Sequence, residues 1–346
     1  MDPQPWNQYT AYLTAIDAEM REVLDRAVPA ELRPFYGMMA YHLGWQDTAF
    51  HLVEAPSGKR LRPLLCLLAC QVTSHWKVAL PAAAAVELVH NFTLIHDDIQ
   101  DHSPLRRGRP AVWSVWGIPQ AINAGDGLFI IARNALLRLR ARGVSPDVIL
   151  DCISVLDETI LCICEGQYLD LAFERRLDVD EEAYNGMIAR KTAALLEAAV
   201  QLGALVGGAS EEVTAALRAY GGALGLAFQV QDDLLGVWGE EDRTGKPAAA
   251  DVYGRKLGLP AVHALAYASP ADQERLAEVY GGTGPVTAAD VAAVLAAMDR
   301  SGTQAYIEAV AGQHHRAALA ALEGVPTGPA REALAGLAEA LVGREG

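Results

Sequence analysis

Two aspartate pairs dominate the chemistry available to this 346-residue chain. The first lies in His90-Asn-Phe-Thr-Leu-Ile-His96-Asp97-Asp98-Ile-Gln-Asp101, closing an otherwise apolar stretch at 82–95. On a helix, residues four apart lie above one another, so Asp97 and Asp101 share a face. Like charges at that spacing repel, and a bound cation is the usual justification. Hard oxygen ligands without a nearby cysteine favour Mg²⁺, which keeps waters and shares its sphere with substrate phosphates. A solvated helix end would account equally well for this cluster taken alone. The second pair, in Phe228-Gln229-Val230-Gln231-Asp232-Asp233-Leu-Leu-Gly236, also ends an apolar helix, at 224–230. Two such helices ending together would make a carboxylate-rimmed mouth on an apolar pocket, which a single pair would not.

Ten of the 28 cations gather in short loop-like segments: Lys59, Arg60, Arg62, Arg106, Arg107, Arg109, Lys191, Lys246, Arg255 and Lys256. Arg binds phosphate oxygens bidentately and Lys binds them as a point charge. Each could be an ordinary solvated charge. Beside two Mg²⁺-type clusters, they point together to a diphosphate substrate with an apolar body.

These side chains need a scaffold, and its pattern is helical throughout. Alternating strand patterns and Asn-Gly or Asp-Gly hairpin turns are absent, while long Ala/Leu-rich segments predominate. Helices are predicted at 81–100, 121–142, 146–173, 180–205 and 211–238. After 260 come shorter helices, broken at Ser269-Pro270 and at 281–285. Segment 192–207 is apolar around most of its circumference, as befits the centre of a large bundle. With no linker, repeat or composition shift, one all-α domain spanning 1–346 is expected.

The formal net charge is −15, which argues against nucleic acid and anionic membranes as partners. It does not argue against diphosphates once the local cations and metal-type carboxylates are counted. Cys66, Cys70, Cys152, Cys162 and Cys164 are odd in number and lack metal spacing, so buried free thiols in a reducing compartment are expected. The first twenty residues lack signal-peptide character, and charges or amides interrupt every apolar run before membrane-spanning length. A cytoplasmic protein without a membrane span follows.

In order along the chain stand GKRLRP at 58–63, DDIQD at 97–101, RRGRP at 106–110, EGQYLDL at 165–171, KTAALL at 191–196, FQVQDD at 228–233 and TGK at 244–246. This set resembles the trans-isoprenyl diphosphate synthases, and most of all their bacterial geranylgeranyl diphosphate synthases. The resemblance implies a single helical bundle around a deep central cavity, the isoprenoid synthase fold, in a homodimer. It implies condensation of isopentenyl diphosphate with an allylic diphosphate (dimethylallyl, geranyl or farnesyl). By position, Lys59, Arg62, His90 and Arg107 match the isopentenyl diphosphate site. Asp97, Asp98, Asp101, Asp232 and Asp233 match the magnesium ligands. Arg106, Lys191, Lys246 and Lys256 match ligands of the allylic diphosphate, and Thr192 and Gln229 match groups facing the developing allylic cation.

Two features depart from the family pattern. Gly236 stands where many members carry a third aspartate, and Gly258 where many carry Thr or Ser. With Glu240 one turn further on, Asp232, Gly236 and Glu240 follow an i, i+4, i+8 line that overlaps the metal triad of class I terpene cyclases. Glu240 is therefore a further candidate ligand, and a cyclase using one prenyl diphosphate is the rival reading. The retained Lys59, Arg62, His90 and Arg107 argue against it. Phe92, five residues before Asp97, is expected to floor the tail cavity, with Thr93 beside it leaving room. An aromatic there resembles the C20 synthases, with C15 and C25 products as neighbours; a plain core phenylalanine is the alternative.

Overall fold

The structure is a computed structural model that describes residues 7–25, 27–56, 58–239 and 248–342. Among these residues the chain is all-α, as its composition requires. In order the helices are α1 (Thr10–Leu24), α2 (Arg33–His42), α3 (Leu61–Gln71), α4 (Leu80–Gln100), α5 (Val112–Trp116), α6 (Ile118–Leu137), α7 (Pro146–Phe173) and α8 (Glu181–Ile188). They continue as α9 (Ala194–Gly207), α10 (Glu211–Trp238), α11 (Ala250–Tyr253), α12 (Leu259–Tyr267), α13 (Pro270–Tyr280), α14 (Ala288–Arg300), α15 (Thr303–Ala321) and α16 (Pro329–Val342). Predicted boundaries at 146–173 and 211–238 coincide with α7 and α10. The breaks at Ser269-Pro270 and 281–285 separate α12, α13 and α14 as expected.

The chain divides into two compact units, Met1–Glu158 with Ala198–Thr214, and Thr159–Glu197 with Ala215–Gly346. In the first, α4 is the central helix and packs against α1, α3 and α6. Its side chains from Leu80 to Val89 are all buried, so it has no solvent face there. Each fully buried Leu, Val or Phe on it contributes about 1.5–3 kcal/mol. The helical segment Trp76–Gln100 is long and apolar enough to cross a membrane by length and composition, contrary to the run-by-run reading. Yet 78% of its most apolar stretch is buried within the protein. Glu87 interrupts the run without bringing its average hydropathy below that of a spanning helix, and it is buried against Arg60 at 2.7 Å.

Small residues set the closest approach in this unit. A Cβ at Gly203 would fall 2.1 Å from the Cys66 carbonyl oxygen, so α9 lies directly on the α3 backbone there. In the second unit, α12 packs against α8, α13 and α15, and α15 against α16. Its cores gather Val237, Val252, Leu276, Val294 and Met298 in one cluster and Tyr184, Ile188, Val230, Leu259 and Ile307 in another.

Three local features escaped the sequence pattern. The expected helix 180–205 is interrupted by a π-helical turn, Ala189–Ala193. The C-terminal part of the expected 121–142 helix tightens into a 3₁₀ turn at Arg138–Arg142. RRGRP forms a minimal hairpin, β1 (Leu105–Arg106) with β2 (Arg109–Pro110). Arg107 and Gly108 both have left-handed φ, +53° and +75°, the signature of the tight turns favoured in hairpins. All five cysteines are free, but only Cys66, Cys70 and Cys152 are buried; Cys164 is exposed. Burial pushes the Cys70 thiol up to about 11 and Cys152 up to about 12, which makes both inert as nucleophiles.

Candidate active site

In the first unit, α4 delivers the DDIQD cluster. Adjacent helical residues point 100° apart, so Asp97 is half-buried while Asp98 turns inward and is 1% exposed. Asp101 caps the helix end, its N–H donating to the Asp97 carbonyl at 2.8 Å, and is exposed. The RRGRP hairpin then folds back so that Arg106 donates to Asp98 Oδ1 from Nε at 2.9 Å and from Nη2 at 2.5 Å. Asp98 Oδ2 is buried and accepts no hydrogen bond. Burial raises the Asp98 carboxyl above its ordinary range despite Arg106. An orphaned buried carboxylate oxygen is costly unless a ligand satisfies it. Divalent Mg²⁺ suits such an oxygen chemically, since it takes hard oxygen donors.

The GKRLRP segment enters α3 through left-handed Gly58 and Arg60 (φ +88° and +52°). That turn sorts its cations. Arg60 swings inward to the Glu87 ion pair and is structural. Lys59 stays exposed. Arg62 reaches the His90 ring at 3.4 Å while its Nε is buried without a partner. Arg107 Nη1 is likewise buried without a partner, and a Cβ at Gly58 would lie 3.0 Å from Arg107 Nη2. Burial, then Arg62 and Arg107, hold the His90 imidazole well below its usual value, so it is neutral at physiological pH. His42, which no sequence motif flagged, is buried beside Arg106, Arg107 and Arg109 with Nε2 unpartnered. Unsatisfied cationic and neutral donors gathered this way suit a multiply charged anion.

Other members of the basic set are spent on architecture. Arg109 lies over the Tyr41 ring and donates to the Tyr41 and Gln46 carbonyls. Arg255 donates to the Val279 and Gly284 carbonyls, both at 2.6 Å.

In the second unit, the π turn positions Lys191 and Thr192. It fits because a Cβ at Gly166 would lie 2.4 Å from the Lys191 nitrogen, and one at Gly225 would lie 2.5 Å from Ala193 Cα. Lys191 Nζ meets Asp170 at 2.5 Å. Thr192 Oγ1 donates to Gln229 Oε1 at 2.8 Å, and Gln229 Nε2 donates to Asp233 Oδ1 at 3.1 Å.

Asp233, expected as a metal ligand, is otherwise engaged. It is fully buried and accepts from Gln229, from Lys256 Nζ at 3.1 Å, from the Leu259 N–H at 3.1 Å and from the Tyr184 hydroxyl. Four donors fill the roughly four lone-pair positions of a carboxylate. The spacing of a DD pair shows only that one member faces inward; what meets it there came from α8, α10, Lys256 and the start of α12, and no motif marked Tyr184. Asp232 is the exposed member. Lys256 is a cation held by its neighbours: burial opposes the charge, but Asp233, Asp251 and Asp232 raise its pKa. Lys246 and Glu240 lie outside the described residues. Among the described residues, no three His, Cys, Asp or Glu side chains come together as a metal-holding group. Mg²⁺ ordinarily uses one or two carboxylates and completes its sphere with substrate phosphates and water.

Phe92 is 6% exposed and packs its ring against Phe129 at 5.3 Å and His96 at 5.9 Å. The Thr93 hydroxyl donates back to the His90 carbonyl at 2.8 Å.

Comparison with known proteins shows the family and the fold. A polyprenyl synthetase family model matches residues 45–298. A short chain isoprenyl diphosphate synthase of Methanothermobacter thermautotrophicus is 44% identical over 85% of this chain and 89% of its own length. A geranylgeranyl diphosphate synthase of Mycobacterium tuberculosis is 40% identical over 90% of this chain and 88% of its own. Among solved structures, a geranylgeranyl pyrophosphate synthetase from Pyrococcus horikoshii superposes with a TM-score of 0.89 at 31% identity, covering 99% of this chain and 98% of that one. A polyprenyl synthase from Caulobacter crescentus, complexed with calcium and isoprenyl diphosphate, superposes with a TM-score of 0.81 at 30% identity, covering 99% of this chain and 97% of that one. With the family model matching well over half of its length, this chain belongs to the polyprenyl synthetase family.

Proposed function

We propose that the protein is a Mg²⁺-dependent prenyltransferase that condenses isopentenyl diphosphate with an allylic diphosphate, and that its product is geranylgeranyl diphosphate, C20. The observation that carries this reading is the pairing, in one unit, of an orphaned Asp98 oxygen with the orphaned donors of Arg62 and Arg107 around a neutral His90. A terpene cyclase has no use for the second anion site.

In this reading Lys59, Arg62, His90 and Arg107 hold isopentenyl diphosphate. Arg106, Lys191, Lys246 and Lys256 hold the allylic diphosphate. Asp97, Asp98, Asp101 and Asp232 would hold Mg²⁺, with Asp233 acting through Gln229 and Lys256. When bound, Mg²⁺ supplies charge neutralisation of the leaving diphosphate. The allylic carbon–oxygen bond breaks, and preorganised cations make that charge separation cheaper than in water. The Thr192 hydroxyl, which donates its hydrogen bond to Gln229 Oε1, keeps oxygen lone pairs for the allylic cation. The alkene of isopentenyl diphosphate attacks, a carbon–carbon bond forms, and a proton leaves to the departed diphosphate. Apolar α4 surroundings exclude the water that would quench the cation.

Phe92 closes the tail space below DDIQD and sets the C20 length. Its packing on Phe129 supports that role, because a braced ring resists a growing tail. We read the chain as a single catalytic domain that works as a homodimer, and the unpaired cysteines favour the cytoplasm. Incubation with farnesyl diphosphate and Mg²⁺, with and without isopentenyl diphosphate, tests the assignment. We expect geranylgeranyl diphosphate only when both substrates are present; hydrocarbon released from farnesyl diphosphate alone would establish a cyclase.

A further inference from the structure

Gly236 is the position at which the second aspartate cluster departs from the three-carboxylate pattern, and the structure contains a reason. A Cβ at Gly236 would lie 2.1 Å from Asp251 Oδ2 and 2.4 Å from its Cγ. The carboxylate of Asp251, 14% exposed, therefore occupies the volume that any side chain at 236 would need. Residue 236 is four beyond Asp232, so that volume lies on the Asp232 face of α10. The carboxylate is not loose there. Asp251 Oδ2 accepts from Lys256 Nζ at 3.3 Å, and Lys256 also donates to Asp233 at 3.1 Å. The segment that carries both partners is itself tightly held. The Lys256 N–H donates to the Asp251 carbonyl at 2.8 Å, Ala249 and Arg255 are left-handed at either end, and Arg255 anchors to Val279 and Gly284.

We infer that Asp251 is a positioning residue of this site: its carboxylate takes the place of the side chain that Gly236 lacks and, with Asp233, fixes the Lys256 ammonium for the allylic diphosphate. Two carboxylates on one ammonium, at 3.1 and 3.3 Å, define its location better than Asp233 alone could. Lys is a flexible point charge on a four-carbon stem, so its aim must come from its neighbours. Gly236 is then a requirement of this solution, since even a methyl group would push Asp251 off Lys256. The inference rests on the reading of Lys256 as a ligand of the allylic diphosphate.

The test measures KM for each substrate and the binding of inorganic pyrophosphate to the full-length protein, with Tm as the control for folding. Asp251→Asn and Gly236→Ala should each raise the allylic KM about tenfold, the equivalent of about 1.4 kcal/mol, and weaken pyrophosphate binding in parallel. The KM for isopentenyl diphosphate should change less than about twofold, the two sites being separate. Ala is intrinsically more favourable than Gly in a helix by about 1 kcal/mol, so Gly236→Ala should reach this effect without a fall in Tm. In an Asp251→Gly background, Gly236→Asp should recover most of the lost allylic affinity by restoring a carboxylate to the same space. Equal rises in both KM values, or no rise for either single variant, would overturn the inference. Lys256→Ala separates it from the reading beneath: an unchanged allylic KM in that variant refutes Lys256 as a diphosphate ligand. A raised allylic KM there, with Asp251→Asn silent, refutes only the positioning role.

Discussion

Asp98 and Asp233 are the inward members of two aspartate pairs, the first in the last turn of α4 and the second within α10, which continues to Trp238, and each is fully or almost fully buried. Their surroundings differ. Asp98 meets one partner, Arg106, and keeps an oxygen with no donor. Asp233 meets four donors drawn from α8, α10, Lys256 and the start of α12. The first pair keeps a buried oxygen for the metal we propose it holds, whereas the inward member of the second ties its own unit together. A repeated dipeptide is thus saturated by its own unit in one place and left with an unpartnered oxygen in the other.

The largest effect that tests this contrast is on turnover. Asp97→Ala should reduce Mg²⁺-dependent kcat by at least 10²–10³-fold, on the order of losing a major electrostatic stabiliser, with Tm unchanged. Near-normal steady-state activity would sink the metal assignment. Asp233→Ala should act through the fold, stranding the Tyr184 hydroxyl and the Leu259 N–H and costing about 3 kcal/mol in chemical denaturation. A stability change no larger than that of Asp97→Ala would erase the distinction between the pairs.

Arg107→Ala should raise the KM for isopentenyl diphosphate about tenfold, as loss of a charged hydrogen bond of about 1.5 kcal/mol implies, with a smaller change in the allylic KM. Equal changes would undo the division between the two anion sites. Phe92→Ala should move product from C20 toward C25 and longer, read by chromatography of the dephosphorylated alcohols; an unchanged distribution would remove Phe92 as the floor.

The smallest effect is on pH. Burial first, and the surrounding arginines second, keep His42 and His90 well below the usual histidine value. Below about pH 6.5 the unfolded chain takes up protons that the folded chain refuses, so stability falls as pH falls. The slope is at most about 1.4 kcal/mol per pH unit for each histidine. His42→Gln should flatten this decline in Tm between pH 7.5 and 5.5; an identical decline would show that His42 is protonated at little cost.

Much of this molecule was legible from residue order. Helix content and the limits of α7 and α10 follow from local propensity and from start and stop signals that act within a turn or two. The DDIQD, GKRLRP and RRGRP segments were identifiable because the diphosphate and metal binding proposed for them demands particular residue types close together in the chain. What local signals miss is the partner of each charge. Arg60, Arg62 and Arg107 read alike as cations in loops, yet left-handed turns sent Arg60 to Glu87 and left donors of the other two unsatisfied. The π turn at Ala189–Ala193 left no mark in the hydrophobic period, since it depends on Gly166 and Gly225 approaching from α7 and α10.

The sequence by itself determined that this is a helical protein with carboxylates and cations suited to a diphosphate, because those properties reside in residue types and short spacings. Only the tertiary structure decided which carboxylate stays available, which is consumed, and why residue 236 is glycine. Those outcomes depend on hydrogen-bond donors and excluded volume supplied by residues from 15 to nearly 50 positions away along the chain, as Asp251 and Tyr184 illustrate, and no local pattern encodes who the neighbours will be.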